Sequence, residues 1–154
     1  MKHLKIIIAA IAIVTCDNAQ ADCASTVQQR FELYKALAVQ MYPKVQALKK
    51  VTSEVTNSSD WYGRTLPKNH LVQIANDDCS LFWAHTDAVI AHELGHVIAY
   101  DIMSNSGEDD ADRIGATLLN QQIRGELVFY MDNQCLIGKT YFCGRVARWK
   151  QIFN

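Results

Sequence analysis

Two histidines four residues apart, with a glutamate directly after the first, lie just past the middle of the chain, in Ala91-His92-Glu93-Leu94-Gly95-His96-Val97-Ile98-Ala99-Tyr100. On a helix, positions four apart share a face. His92 and His96 can therefore offer two imidazole nitrogens to one ion about 2.0–2.1 Å away. Glu93, next in sequence, then reaches a water on the ion's open side. Two ligands, a general base and one position for water describe a hydrolytic metal centre. The competing reading is a pair of core histidines bonded to their neighbours, with Glu93 on the surface. Ala88, Val89, Ala91, Leu94, Gly95, Ile98 and Ala99 make the segment apolar on most sides, and polar groups buried there are costly unless paired. The spacing favours the metal.

Such a centre needs a third protein ligand, and the acids follow in Gly107-Glu108-Asp109-Asp110-Ala111-Asp112-Arg113-Ile114-Gly115-Ala116. Together with His-Glu-x-x-His, the pattern Glu108-x-x-Ala111-Asp112 resembles the gluzincin metallopeptidases, over Ala91 to Ala116 and nowhere else. The resemblance implies a zincin-like fold, one zinc ion and peptide-bond hydrolysis. It makes Glu108 the third ligand and Asp112 the group that orients a ligand histidine through its second nitrogen. Asp109 and Asp112 remain alternatives as ligands, because only eleven residues separate His96 from Glu108. A helix running on to Ser104 would start Glu108 about 12 Å above His96. Glu108 then reaches the ion only if the helix stops near Tyr100 and the link folds back; with a long helix Asp112 becomes the better-placed ligand. Small Ala111, Gly115 and Ala116 would let the two helices approach closely.

Zinc fits two imidazoles and a carboxylate, although ligand type alone admits manganese or cobalt. Glu93 is the expected base, taking a proton from water and giving it to the leaving amine. A further donor must steady the oxyanion, and His70, His85, Tyr130, Tyr141 and Arg145 are unranked candidates. The expected substrate is a protein or peptide. Alternatives are hydrolysis of another amide, such as a peptidoglycan cross-link, and a zincin-fold binding protein without catalysis. An upstream strand, Leu71 to Ala75, could hold an extended substrate by edge pairing.

The elements that must position these residues read as a compact, helix-rich α+β domain with a small sheet or hairpin. Ser25 to Met41 is amphipathic, with Val27, Phe31, Tyr34, Leu37 and Met41 at three- and four-residue steps. Pro43 opens a second expected helix carrying Val45, Leu48, Val51 and Val55 and ending before Asn57. Trp61–Leu66 and Leu71–Ala75 read as strands around Pro67-Lys68-Asn69. Thr86 is the expected N-cap of the histidine helix, with Asp87 in its first turn, and Ser104-Asn105-Ser106-Gly107 ends it. A further helix is expected from Glu108 to Arg124, stopped by Gly125. The remainder, through the cysteine pair to Trp149, has no clear assignment.

The first 21 residues stand apart. Lys2, His3 and Lys5 precede the apolar run Ile6–Val14 and the small-x-small site Ala19-Gln20-Ala21, which describes a bacterial-type secretory signal peptide. The run is well short of the roughly 20 residues of a spanning helix. Residues 22–154 are then one exported domain, periplasmic or secreted, with no transmembrane segment. The alternative is lipidation at Cys16 in Ile13-Val14-Thr15-Cys16. Cys23, Cys79, Cys135 and Cys143 suit two disulfides in an exported chain. Three pairings are open; Cys135 with Cys143 closes a small loop and leaves Cys23 for Cys79. A net charge of -1 gives no electrostatic case for nucleic acid as a partner.

Overall fold

A computed structural model of the chain describes residues 23–58, 60–75 and 83–153. The signal-peptide region, Cys16 and Cys79 lie outside the described residues. Helix α1 covers residues 23–41 and buries Val27, Phe31, Tyr34 and Ala38. Met41, expected on that stripe, is 44% exposed, because the helix end projects past the core that Ala38 already reaches.

The second expected helix is reduced to one turn, α2 (Ala47–Lys50), after which Val51 turns extended at φ -63° and ψ 136°. Strand β1 (Thr52–Thr56) takes the rest. Val45, Leu48 and Val51 are buried as expected; only the element differs. The step of four from Val51 to Val55 repeats on a strand face as well as on a helix face. The β-branched run Val51-Thr52-Ser53-Glu54-Val55-Thr56 tips that ambiguity toward the strand.

Strands β2 (Gly63–Leu66) and β3 (Leu71–Ala75) flank a 3-10 turn at Pro67–Asn69. The sheet order is β1-β3-β2. β1 runs parallel to β3 with Thr52 opposite Leu71, and β2 runs antiparallel with Gly63 opposite Ile74. β3 is thus the central strand, and Val72, Gln73, Ile74 and Ala75 are all buried. Burial on both faces explains why its residues do not alternate. Being paired on both sides, β3 has no edge to offer a substrate; the edges belong to β1 and β2.

Helix α3 (Trp83–Met103) crosses the centre of the domain. It is already under way at Thr86, which is fully buried rather than an N-cap. Asp87 does not serve a helix end either; it takes the guanidinium of Arg30, from α1, at 2.6 Å. Helix α4 (Glu108–Leu118) is shorter than expected. Asn120 accepts a hydrogen bond from the Ile123 amide at 2.9 Å and caps a new helix, α5 (Gln121–Leu136), which runs straight through Gly125. Arg124 donates to the Leu119 and Ala116 carbonyls at 2.9 and 2.8 Å, closing the end of α4.

Helix α6 (Thr140–Phe153) is the last described element. The Cys135–Cys143 disulfide ties its first turn to the end of α5, across a turn in which Gly138 takes φ +91°. Cys23 is disulfide-bonded as well. The core is continuous from Val27 on α1 through Ile90, Leu94 and Ile98 on α3 to Trp149 on α6. The domain is therefore α+β, helix-rich, with a three-stranded sheet. No helix among the described residues is long and apolar enough to cross a membrane.

Candidate metal centre

The helix pair α3–α4 brings the predicted ligands together by unusually close packing. A Cβ on Gly95 would lie 2.3 Å from the Ala111 carbonyl oxygen, and one on Gly115 would lie 2.7 Å from the Ala91 oxygen. Only glycine permits that approach at either position. The paired contacts, 95 with 111 and 91 with 115, show the two helices to be antiparallel.

The helix that carries the histidines is long, ending at Met103. Glu108 nevertheless reaches the histidines and Asp112 does not become a ligand, contrary to the expectation for a long helix. Ser104 is the reason: at φ 57° it sits in the left-handed region and reverses the chain, while its amide still bonds the Tyr100 carbonyl at 2.9 Å. The link turns back over the last helical turns instead of climbing away from them.

His92, His96 and Glu108 each place a ligand atom within 4.8 Å of the others. The edges of the donor triangle are 3.1 Å between the two Nε2 atoms, 3.3 Å from His92 Nε2 to Glu108 Oε2 and 3.5 Å from His96 Nε2 to Glu108 Oε1. A tetrahedral ion with bonds of about 2.0–2.1 Å has donor–donor edges of about 3.3–3.4 Å. The three side chains gather donors at separations near those edges, Glu108 facing each histidine with a different carboxylate oxygen, and could hold a metal ion.

Both histidines are bonded at their outer, Nδ1 nitrogens, and their Nε2 atoms face Glu108. His92 Nδ1 donates to Asp112 Oδ1 at 2.8 Å, and Asp112 is fully buried. His96 Nδ1 is bonded to the Ser106 hydroxyl. Fixing Nδ1 leaves Nε2 as the lone-pair donor. Asp112 is thus the orienting group, while Asp109 points elsewhere and pairs with Arg148 at 2.9 Å.

Glu93 lines the same cleft as both histidines and leans against the sheet. It is 4% exposed, and its Oε2 accepts from the Thr65 hydroxyl on β2 at 2.7 Å. A Cβ on Gly63 would stand 2.9 Å from Glu93 Cγ and 2.6 Å from Val89 Cγ1, so the glycine lets β2 lie close against Glu93. Neither Thr65 nor Gly63 carried a signal in the sequence, since nothing in their spacing relates them to α3.

Electrostatics separate the carboxyl groups. Burial pushes Glu93 above the usual carboxylate range, and the His92 charge and Thr65 hydroxyl only partly offset it. A hydrogen bond from His92 holds Glu108 down to about 2. Burial opposes ionisation of Asp112, but His92 and Arg145 keep its carboxyl below the ordinary value. Burial also lowers His92, yet Asp112 and Glu108 outweigh it and the imidazole is raised. Burial, and after it the neighbouring His92, lowers His96 to about 4. Burial thus sets Glu93 apart from Glu108 and Asp112: its carboxyl is raised while theirs are lowered.

These residues open into a cleft of about 1280 Å³ between β2, α3, α5 and α6. Of the oxyanion candidates, Arg145 lines the cleft with Nη2 3.1 Å from Asp112 Oδ1 and Nη1 bonded to the Tyr141 hydroxyl. His85 and Tyr130 form the cleft's aromatic wall, with ring centroids 4.9 Å apart. His70 is excluded from the cleft: it ends the 3-10 turn in the left-handed region, at φ 49°, and lines a separate small pocket with Tyr100 and Asp101. Comparison of the chain with family models, curated proteins and solved structures finds no match to any of them.

Proposed function

We propose that this chain is an exported zinc metallopeptidase of gluzincin type. The observation that carries the reading is the gathering of His92, His96 and Glu108, whose donor atoms lie within 4.8 Å of one another, with buried Glu93 lining the same cleft. Two imidazoles and a carboxylate favour zinc. When bound, zinc lowers the pKa of a water toward neutrality and polarises the scissile carbonyl.

The chain's own residues do the rest. Glu93, its pKa raised by burial, accepts the water proton on a carboxylate oxygen and returns it to the leaving amine nitrogen. Thr65 holds the carboxylate of Glu93 on the cleft side of α3. Arg145 and Tyr141 are the donors best placed to receive a developing oxyanion. Edge pairing of an extended substrate falls to β2, the sheet edge that lines the cleft. The Cys135–Cys143 disulfide accords with an oxidising compartment.

The test sets the purified chain beside Glu93→Gln, with bound metal and cleavage of casein both measured. The expected outcome is one zinc per chain in each and cleavage lower by roughly 10²–10⁴-fold in the variant. Equal cleavage by the two proteins removes Glu93 as the base. Metal content unchanged by His92→Ala removes the centre.

A further inference from the structure

Helix α6 presents two stripes. Phe142, Val146 and Trp149 are buried in the core. Tyr141, Arg145 and Arg148 recur at four- and three-residue steps and so share another face. Two of these three converge on one buried carboxylate: Arg145 Nη2 lies 3.1 Å from Asp112 Oδ1, and Arg148 Nη1 lies 3.0 Å from Asp112 Oδ2. The same Oδ1 accepts from His92 Nδ1 at 2.8 Å.

Resting on the reading of His92, His96 and Glu108 as a metal site, we propose that Arg148 of α6, together with Arg145, is a positioning residue for that site, acting through Asp112 on the ring of His92. A carboxylate that accepts from an imidazole at one oxygen is free to rotate about its Cβ–Cγ bond unless the second oxygen is also held. Arg148 holds it. With both oxygens pinned, the carboxylate plane is set, and with it the angle at which His92 directs Nε2 toward Glu108 and His96. Arg148 does not itself line the cleft, so it touches no substrate; its effect passes through Asp112.

Two physical effects predict opposite signs, which makes the idea decidable. Arg148 is a cation near a cation site, so simple repulsion says that removing it tightens metal binding. Positioning says that removing it loosens binding. The experiment measures zinc affinity of the full chain, stripped with a chelator, by competition with a chromophoric chelator at fixed pH. Arg148→Gln, Arg148→Lys and Asp109→Asn are compared with the unaltered chain.

Positioning predicts zinc binding about tenfold weaker in Arg148→Gln, the low end of what an outer partner contributes. Arg148→Lys, which keeps a donor and the charge, should recover most of that loss. Asp109→Asn removes only the exposed second partner of Arg148 and should change affinity by less than about twofold, as surface ion pairs contribute little. The ring ¹⁵N shifts of His92 should also show less of the Nδ1-protonated tautomer in Arg148→Gln. Equal or tighter zinc binding in that variant, with the tautomer unchanged, overturns the proposal. If Arg148→Gln does not fold, Arg148→Ala decides in its place: zinc binding equal to or tighter than that of the unaltered chain overturns the proposal, and about tenfold weakening supports it. Failure of the unaltered chain to bind zinc overturns the metal reading instead.

Discussion

The site is built from two unlike halves. One is the α3–α4 hairpin, which supplies His92, His96, Glu108 and Asp112 from a short contiguous stretch. The other is a frame of distant pieces: Thr65 and Gly63 from β2, and Arg145 and Arg148 from α6. The first half converts spacing directly into geometry, because helical period places His92 and His96 on one face. The second half depends on how remote elements dock. Chemistry that binds is local here, and chemistry that steers is not.

That contrast can be attacked first at the hairpin, where the largest effect is expected. Alanine normally stabilises a helix relative to glycine by roughly 0.5–1 kcal/mol. At Gly95 the added methyl meets a backbone carbonyl at 2.3 Å, whereas at Gly125 nothing lies within 4 Å. Gly95→Ala should therefore lose about 1–3 kcal/mol by overpacking and bind zinc more weakly, while Gly125→Ala should gain slightly. Thermal melts and metal titrations of the pair check both signs. A Gly95→Ala protein as stable as its parent would mean that the two helices do not govern the donor triangle.

A smaller effect probes the frame. Thr65→Val deletes the hydroxyl that holds Glu93 and leaves every ligand in place. The expected result is turnover lower by roughly tenfold or more, since a hydrogen bond to a charged carboxylate contributes about 1.5–3 kcal/mol, with zinc affinity unchanged. Loss of zinc in this variant would show that the halves are not separable.

The smallest effect concerns the brace between α1 and α3, outside both halves. Burial pushes the Tyr34 phenol upward, and the Asp87 carboxylate, which accepts its hydrogen bond, adds to the rise. A folded pKa above the unfolded value of about 10 gives stability that is whole below pH 10. It drains away as pH rises from 10 through the folded value. Denaturant midpoints of the parent chain should fall more steeply above pH 10 than those of Tyr34→Phe. Parallel curves would remove Tyr34 from the account.

How much was legible follows the same division. The gathering of His92, His96 and Glu108, and the place of Asp112 against His92, could be read because they lie within about two helical stretches of one another. The helix lengths were misjudged where one residue decided them. Ser104 in the left-handed region and Asn120 as a cap redirect the chain, and neither has a periodic signature. β1 was hidden because Val51 and Val55 satisfy both helix and strand spacing. Thr65, Gly63, Ser106 and Arg148 were invisible for a different reason: their meaning exists only once remote segments meet.

Ser104 has one more consequence, and it concerns the order of assembly. Because the chain reverses at a single residue, the loop joining the donors is short, and closing a short loop costs little entropy. A chain that has formed only α3 and α4 already holds the complete triangle. An ion captured then would favour that hairpin over the unfolded chain by mass action, before the sheet and α6 have docked. Metal uptake would precede the arrival of Thr65 and the arginines, so the centre would fill first and gain its surroundings afterwards.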